Sequence, residues 1–229
     1  MTDELNEVLR EPVSGLSYRI RRPRGVPSQP APCLLLLHGV GANEAGFIDL
    51  AQRLDPRLAV ILVRGPLAFG PMQFGWFQVG FTSAGPVINA EQAELARVKL
   101  AEFIGQLPET QGVDPKRIWI AGFSQGGIMS ASVALTGPAS VAGFGILSGR
   151  ILREVLPKVA EADALGKVQA FVSHGTDDQV LGIQYGRQSR DVLSSLGVPL
   201  EYHEYPAGHG LDHAMIDDFT QWLYKQLGA

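Results

Sequence analysis

The stretch that decides the fold reads Arg117-Ile118-Trp119-Ile120-Ala121-Gly122-Phe123-Ser124-Gln125-Gly126-Gly127. Its first part is mostly β-branched or apolar and predicts a strand, and the small residues that follow it predict the start of a helix. A turn this sharp brings backbone segments together, so the glycines two before and two after Ser124 leave room that larger side chains would fill. We therefore expect Ser124 in a strained backbone conformation, with its hydroxyl presented at the helix N-terminus.

Similar strands recur along the chain, and most of them are continuously apolar. Such runs are typical of strands that are covered on both faces of a parallel sheet. Besides residues 117–121, the runs are Cys33–Leu37, Leu58–Val63, Gly143–Leu147, Val168–Val172 and Leu200–Tyr205. Because helical patterns lie between them, the sequence predicts an α/β fold with a mostly parallel central sheet and helices on both faces. Functional residues of such sheets gather at the carboxyl ends of the strands.

Two helices have clear apolar stripes. In the first, Asn89 is the predicted N-cap with Gln92 three residues later, and Pro108 is expected to end the helix after Leu107. The last helix is predicted to begin near Asp212. The stripes consist of Ala93, Ala96, Leu100, Phe103, Ile104 and Leu107 in the first helix, and of Ile216, Phe219, Leu223 and Leu227 in the last.

The composition of the 229 residues excludes several classes of protein. There are 19 Lys and Arg against 23 Asp and Glu, and the resulting net charge of −4 excludes a basic nucleic-acid-binding protein. Hydrophobic residues at 45% and charged residues at 18% supply a core and argue against disorder. With no linker, repeat or charge block, we expect one domain over residues 1–229.

The sequence also favours a cytoplasmic location. Cys33 is the single cysteine, so no internal disulfide can form, and a small buried hydrophobe is expected at its position. Residues 1–7 are acidic and lack the positive and apolar segments of a signal peptide. The longest apolar runs fall far below the ~18 residues that a transmembrane helix needs, so we expect no stable membrane insertion.

A serine in such a turn becomes a nucleophile only if a histidine removes its proton and an acid orients that histidine. Both partners are expected to follow the serine along the chain, acid first, which excludes His38 as the base. His203 lies in a strand-like run and His213 in the first turn of the last helix, so a half-exposed and a solvated position are expected for them. His209 lies between two glycines in the loop before the last helix and is the predicted base.

Two aspartates compete for the role of the acid. His174 ends a strand and leads into Gly175-Thr176-Asp177-Asp178, a turn at the carboxyl edge of the sheet. Either Asp177 or Asp178 could accept the Nδ1 proton of His209, while the other caps the turn or faces water. The residues alone leave both aspartates open.

An oxyanion that forms during acyl transfer needs preorganised backbone N–H groups. One is predicted to come from Gln125, directly after the serine at the start of its helix. The other is predicted to come from Val40, in the His38-Gly39-Val40-Gly41 loop, where the glycines let the peptide turn toward the site. His38 is then expected to hold this loop by hydrogen bonds.

Four segments carry a resemblance to a known family: residues 34–41, Gly122–Gly127 (G-F-S-Q-G-G), His174–Val180 (H-G-T-D-D-Q-V) and the Gly208-His209 loop. Together they resemble the phospholipase/carboxylesterase family of α/β hydrolases, which includes acyl-protein thioesterases, over roughly residues 31–227. The resemblance implies an α/β-hydrolase fold and selects Asp178, four residues after the histidine of H-G-x-x-D, as the acid. It also implies that Val40 and Gln125 supply the oxyanion donors.

The segment Phe74-Gly75-Trp76-Phe77-Gln78, within the loop 65–89, resembles the W-F-D segment that lies beside the acyl pocket in that family. The resemblance implies that Trp76 and Phe77 bind substrate. The chain departs from the family pattern at Gln78, where an aspartate is common.

Three alternative functions have weaker support. Gly39-Val40-Gly41 could begin a dinucleotide fingerprint, but Glu44 stands where the third glycine belongs, and no acidic residue ends the next strand. His209, His213 and Asp212 could bind zinc, but no Cys or further spaced His completes a ligand set. A non-catalytic binding protein on this fold would have no reason to keep the serine, acid, base and N–H donors together.

The sequence therefore predicts a serine hydrolase without cofactor or metal. Ser124, Asp178 and His209 are expected to cleave small carboxylic esters with an apolar acyl group through an acyl-enzyme, and thioesters are the alternative substrates. The net charge of −4 gives no attraction to anionic membranes, so a soluble or micellar substrate is favoured. The sequence predicts no nucleic-acid partner and is compatible with a homodimer.

Overall fold

A computed structural model describes residues 4–25, 30–82 and 85–228, and for Phe81 the backbone only. Within these ranges the strands are β1 (Leu9–Arg10), β2 (Ser17–Arg21), β3 (Ala31–Leu37), β4 (Ala59–Val63), β5 (Leu67–Gly70), β6 (Gln73–Gly75), β7 (Val79–Thr82), β8 (Gly85–Ile88), β9 (Val113–Phe123), β10 (Gly143–Leu147), β11 (Gln169–Gly175) and β12 (Leu200–Tyr205). The α-helices are α1 (Ile48–Arg53), α2 (Ala90–Gln111), α3 (Gln125–Thr136), α4 (Ala162–Leu165), α5 (Gln184–Ser195) and α6 (His213–Gln226). Residues 1–3 of the acidic N-terminal stretch and residues 83–84 of the predicted loop lie outside the described ranges.

Eight of these strands form one sheet in the order β1-β2-β4-β3-β9-β10-β11-β12. From β4 to β12 the neighbours in this order run parallel, whereas β1 and β2 add an antiparallel edge. The prediction of an α/β fold with a mostly parallel sheet is confirmed, and each of the six predicted strands overlaps a strand of this sheet. β2 is absent from the predicted strands, although its buried residues Tyr18 and Ile20 alternate as strand residues do.

Helices cover both faces of the sheet. On β3, Cys33, Leu35 and Leu37 pack in the core with α2 and α3, whereas Leu34 and Leu36 pack in a second core with α1 and α6. Successive strand side chains point to opposite faces, so two-sided coverage requires the continuous apolar run seen in the sequence. Among the helices that the structure describes, none is long and apolar enough to cross a lipid bilayer.

Helix α2 is longer than the sequence predicts. The side chain of Asn89 caps it by accepting the N–H of Gln92 at 3.1 Å, as predicted. The prediction that Pro108 ends the helix is wrong, because the helix runs to Gln111 and ends at Gly112, whose φ is 66°. Proline removes one backbone hydrogen bond near the end of the helix, and the burial of the apolar stripe of α2 in the core offsets that loss.

The predicted loop 65–89 contains two β-hairpins in its described part. β5 pairs with β6, and β7 pairs with β8. Phe74 of β6 also joins the loop after β3: its N–H donates to the carbonyl of Ala42, and its own carbonyl accepts the N–H of Gly41, both at 2.8 Å. These strands have three or four residues each and little apolar periodicity, which explains why the sequence analysis missed them.

Candidate active site

Ser124 lies between β9 and α3 with a positive φ of 53°. Such a conformation costs a non-glycine residue roughly 1–3 kcal/mol, so the surrounding structure must hold it in place. A Cβ atom on Gly126 would clash with the carbonyl oxygen of Leu37, and one on Gly122 would lie 2.6 Å from the same oxygen. These close approaches confirm the prediction that larger side chains would not fit at the two glycine positions. They also place the serine turn directly beside the end of β3.

His209 lies between Ser124 and Asp178 and contacts both. Its Nδ1 is 2.7 Å from Oδ2 of Asp178, and its Nε2 is 3.0 Å from Oγ of Ser124. Because a carboxylate oxygen only accepts, Nδ1 carries the proton and Nε2 accepts the hydroxyl hydrogen of the serine. The imidazole also packs against the ring of Phe123, with 4.9 Å between the ring centroids. The structure thus brings three side chains from distant parts of the sequence into one line of hydrogen bonds.

The carboxylate of Asp178 is fully buried and fixed by the backbone of its own turn. Its Oδ1 accepts the N–H groups of Val180 and Leu181, each at 2.8 Å, which leaves Oδ2 to face His209. Asp177, the other aspartate that the residues leave open, is exposed. Asp178 is therefore the aspartate that contacts the histidine.

The turn after β11 and the loop after β12 are joined by their backbones, and this fixes the acid relative to the base. The N–H of Asp177 donates to the carbonyl of Ala207 at 3.0 Å. A Cβ atom on Gly175 would clash with that carbonyl oxygen, so only glycine permits the close approach. The loop that carries His209 consequently rests on the turn that carries Asp178.

Two backbone N–H groups beside Ser124, those of Val40 and Gln125, have no hydrogen-bond acceptor among the described residues. Gln125 is the first residue of α3, and the first N–H groups of a helix lack intrahelical acceptors. The Val40 loop lies against the serine, since a Cβ atom on Gly39 would be 3.4 Å from the Cβ of Ser124. Both N–H groups could therefore donate to a negatively charged oxygen bound beside this serine.

His38 holds the Val40 loop from inside the protein, as predicted. Its Nε2 accepts the N–H of Gly65 at 2.9 Å, so Nδ1 carries the proton and donates to the carbonyl of Gly39 at 2.7 Å. Burial lowers the pKa of His38, which keeps the ring neutral. The indole N–H of Trp76 donates to the carbonyl of His38 at 2.9 Å, which gives the Val40 loop a further hydrogen bond.

The structure separates the two aromatic residues that the family resemblance assigns to substrate binding. Phe77 lines a cavity of about 220 Å³ beside Ser124, whereas Trp76 is not among the described residues that line it. The indole of Trp76 is fully buried and donates to the backbone of the Val40 loop, and its backbone N–H donates to Oε1 of Gln125 at 2.9 Å, so substrate binding by Trp76 stays a prediction. The hydrogen bonds of Trp76 therefore hold the Val40 loop and the side chain of Gln125 in place.

The cavity beside Ser124 is mostly apolar. Its apolar lining consists of Val40, Phe77, Val79, Pro86, Ile88, Phe123, Ile128, Val180 and Leu181. Such a lining suits an apolar acyl chain. Arg150 is the one arginine or lysine among the described residues that line the cavity. Arg150 is absent from the predicted site residues, although its position just after β10, at the carboxyl edge of the sheet, is a signal that could have identified it.

The remaining histidines lie outside this line of hydrogen bonds. His203 is half-buried on β12 with Nε2 3.0 Å from Glu201, and His213 is exposed at the start of α6, as predicted for both. His174 is buried, and its Nε2 lies 2.6 Å from the carbonyl oxygen of Leu181. Within the described ranges, no three His, Cys, Asp or Glu side chains are grouped so that they could hold a metal ion.

The parallel sheet with helices on both faces, and a serine in the turn between a strand and a helix, define the class of α/β hydrolases. The chain belongs to the phospholipase/carboxylesterase family, whose model matches residues 25–227. It is similar to acyl-protein thioesterase 1 of Mycosarcoma maydis, with 28% identity over 224 residues that cover 88% of this chain and 93% of the relative. Carboxylesterase SOBER1 of Arabidopsis thaliana is 27% identical over 140 residues, which are 60% of each chain. The crystal structure of a carboxylesterase from Mesorhizobium loti has the same fold, with a TM-score of 0.79, 20% identity, and coverage of 95% of this chain and 98% of the other.

Proposed function

We propose that the chain is a serine hydrolase that cleaves carboxylic esters with an apolar acyl group through an acyl-enzyme. The observation that carries the proposal is the line of hydrogen bonds from Ser124 through His209 to Asp178, beside an apolar cavity. The family, and relatives named carboxylesterase and acyl-protein thioesterase, support the same class of reaction.

In the first half of the proposed reaction, Oγ of Ser124 attacks the ester carbonyl carbon while Nε2 of His209 accepts the hydroxyl proton. Asp178 stabilises the imidazolium that forms. The N–H groups of Val40 and Gln125 donate to the oxyanion of the tetrahedral intermediate, and the loss of one such donor typically costs about 3–4 kcal/mol. The bond to the leaving group then breaks, and His209 gives its proton to the departing alcohol.

In the second half, water attacks the acyl carbon while His209 accepts a proton from it. The second tetrahedral intermediate uses the same two N–H donors. It collapses by breaking the bond to Ser124, whose oxygen takes the proton back from His209, and the carboxylic acid leaves. Each proton and electron pair passes between these side chains, the substrate and water, so we propose no cofactor.

An acyl thioesterase is the second candidate, and the acyl-protein thioesterase names of several relatives favour it. The same residues would act, with a thiol as the leaving group. Esters and thioesters of the same acyl acid, compared by kcat/KM over a series of chain lengths, distinguish the two candidates. A consistently higher kcat/KM for thioesters would make the thioesterase the main function.

The role of the serine is tested by covalent labelling. A fluorophosphonate probe should modify Ser124 stoichiometrically, as located by mass spectrometry. Ser124→Ala and His209→Ala should each lower kcat on 4-nitrophenyl esters by about 10⁴-fold or more. His203→Ala and His213→Ala are the matched controls and should retain most of the activity. Labelling of a different residue, or an active Ser124→Ala variant, would overturn the proposal.

The proposed substrates are small esters or thioesters, and the proposed location is the cytoplasm. The acidic net charge supports the first statement, and the single buried cysteine supports the second. Light scattering of the purified protein tests whether it forms the homodimer that the sequence allows.

A further inference from the structure

Arg150 is a positive charge at the cavity that the described chain leaves without a counter-ion. It follows β10 by three residues and lines the cavity together with Ser124. No described residue forms an ion pair or a hydrogen bond with Arg150, and its Nε is buried without an acceptor. Its guanidinium carbon lies 5.2 Å from the centroid of the Tyr185 ring.

Two other arginines of the chain have a carboxylate partner, which Arg150 lacks among the described residues. Arg64 donates to the carboxylate of Glu44 at 2.6 and 2.7 Å, and Arg187 donates to that of Glu204 at 2.8 and 2.9 Å. A buried guanidinium N–H without an acceptor costs free energy, so a partner from outside the chain would be favoured. Burial lowers the pKa of Arg150, and the opposing effects of Tyr185 and of Glu154, which lies beyond ion-pair distance, are smaller.

The backbone on both sides of Arg150 is fixed. A Cβ atom on Gly149 would lie 3.0 Å from the carbonyl oxygen of Ser124, so this residue packs directly on the serine turn. The N–H of Ile151 donates to Oγ of the buried Ser189 at 3.1 Å. The arginine therefore projects from a rigid segment next to the reacting hydroxyl, as a binding residue requires.

We propose that Arg150 binds an oxyanion group, a carboxylate or a phosphate, on the substrate whose ester bond Ser124 cleaves. The inference rests on the proposed function and narrows its substrates to esters that carry both an apolar acyl segment and an anionic group. A guanidinium matches the geometry of these anions, and a mostly apolar cavity strengthens the attraction. The described lining contains no aspartate or glutamate that would repel an anion.

The test compares pairs of substrates that differ only in one carboxylate. In the acyl arm, mono-4-nitrophenyl glutarate is compared with 4-nitrophenyl pentanoate, in which a methyl group replaces the terminal carboxylate. In the alcohol arm, the pentanoate ester of 3-hydroxypropanoic acid is compared with that of propan-1-ol by pH-stat titration. The measured quantity is the ratio of kcat/KM for the anionic substrate to that for the neutral one.

We expect a wild-type ratio above one in at least one arm, and that arm shows on which side of the carbonyl the anion binds. Arg150→Gln should lower the ratio roughly ten- to hundredfold, mainly through KM, and Arg150→Lys should give an intermediate ratio. Arg153→Gln is the matched control, because it removes the same charge from an exposed position that does not line the cavity. Its ratios should equal those of the wild type.

A wild-type ratio at or below one in both arms overturns the inference, whether or not the variants fold. Equal ratios for the wild type and an Arg150→Gln variant that still reacts with fluorophosphonate overturn it as well. In both cases hydrolysis of 4-nitrophenyl pentanoate leaves the serine hydrolase proposal standing. If the folded wild type hydrolyses none of the four esters and does not react with fluorophosphonate, the proposed function fails and this inference fails with it.

Discussion

The side-chain Oε1 of Gln125 accepts the backbone N–H of Trp76 at 2.9 Å, although the two residues lie 49 positions apart. Its Nε2 donates to the carbonyl of Phe77 at 2.7 Å. Gln125 therefore holds the segment after β6 with its side chain, while its own backbone N–H remains available beside Ser124. One residue thus links the start of α3 to the hairpin that joins the Val40 loop.

Replacement of Gln125 by methionine should destabilise the protein and slow ester hydrolysis. Methionine keeps the volume but leaves a buried N–H and a buried carbonyl without partners, at about 1–3 kcal/mol each. We expect the free energy of unfolding, measured in urea, to fall by roughly 2–4 kcal/mol. Gln52→Met, at an exposed position on α1, is the control and should stay within about 0.5 kcal/mol of the wild type. Equal stability of both variants would contradict the role of the glutamine side chain.

A comparison of Asp178→Asn with Asp177→Asn tests which aspartate acts on the histidine. In Asp178→Asn the amide can still accept the turn N–H groups through its oxygen, but its NH₂ then faces Nδ1 of His209 and favours the wrong tautomer. We expect kcat to fall by about 10⁴-fold with little loss of stability. Asp177 is exposed, so its variant should retain nearly full activity in the same 4-nitrophenyl ester assay. An active Asp178→Asn variant would remove Asp178 from the mechanism.

The parallel part of the sheet could be predicted because both faces of its strands are buried. On β3 this makes every residue from Cys33 to Leu37 apolar, which is a strong local signal. The position of Ser124, and that of the pair Asp177 and Asp178 from which the family resemblance selects Asp178, could be predicted for a related reason. Both lie at strand ends in glycine-containing turns, and the turns leave a pattern in the sequence.

The orientation of Trp76, and the lack of a described partner for the charge of Arg150, could not be predicted, because both depend on contacts between distant segments. The orientation of Trp76 is set by the carbonyl of His38, 38 positions away, and nothing in its neighbours along the chain indicates that contact. The sequence places Arg150 at the carboxyl edge of the sheet, but only the structure shows that it lines the cavity and that no described residue pairs with its charge. The assignment of the chain to one domain stays a prediction.

The close approach of the serine turn to β3 predicts a large effect of a single methyl group. A Cβ atom on Gly126 would clash with the backbone carbonyl of Leu37, which cannot move without distorting the sheet. Gly126→Ala should therefore lower the free energy of unfolding by about 1–3 kcal/mol or more and abolish most activity. Gly105→Ala is the control: it adds the same methyl group to an exposed site on α2 with no atom within 4 Å. In Gly105→Ala, the free energy of unfolding measured in urea should rise by about 0.5–1 kcal/mol. A lower free energy of unfolding for this variant would contradict the steric argument.

Glu44 is a fully buried carboxylate close to the Val40 loop, and two arginines bind it. Arg19 donates to Oε1 at 2.9 Å, and Arg64 donates to both carboxylate oxygens at 2.6 and 2.7 Å. Burial opposes ionisation, but the hydrogen bonds from Arg64 and Arg19 outweigh it and hold the pKa of Glu44 below its usual range. Because the folded-state pKa is the lower one, ionised Glu44 stabilises the fold above the pKa of the unfolded chain. This contribution is lost as the pH falls through the folded-state pKa.

Glu44→Gln should therefore cost stability in a pH-dependent way. At pH 7 the variant leaves two partly buried guanidinium groups without their counter-ion, and we expect a loss of about 3 kcal/mol in the free energy of unfolding. The difference from the wild type should shrink as the pH falls below about 4, near the ordinary pKa of glutamate, because the unfolded wild-type chain takes up the proton first and the folded carboxylate takes it up only at a lower pH. Urea denaturation of both proteins between pH 3 and pH 7 measures this difference in the free energy of unfolding. Glu109→Gln, on the exposed side of α2, is the control. A difference that stays constant over this range would show that the shape of the Glu44 side chain, and not its charge, stabilises the fold.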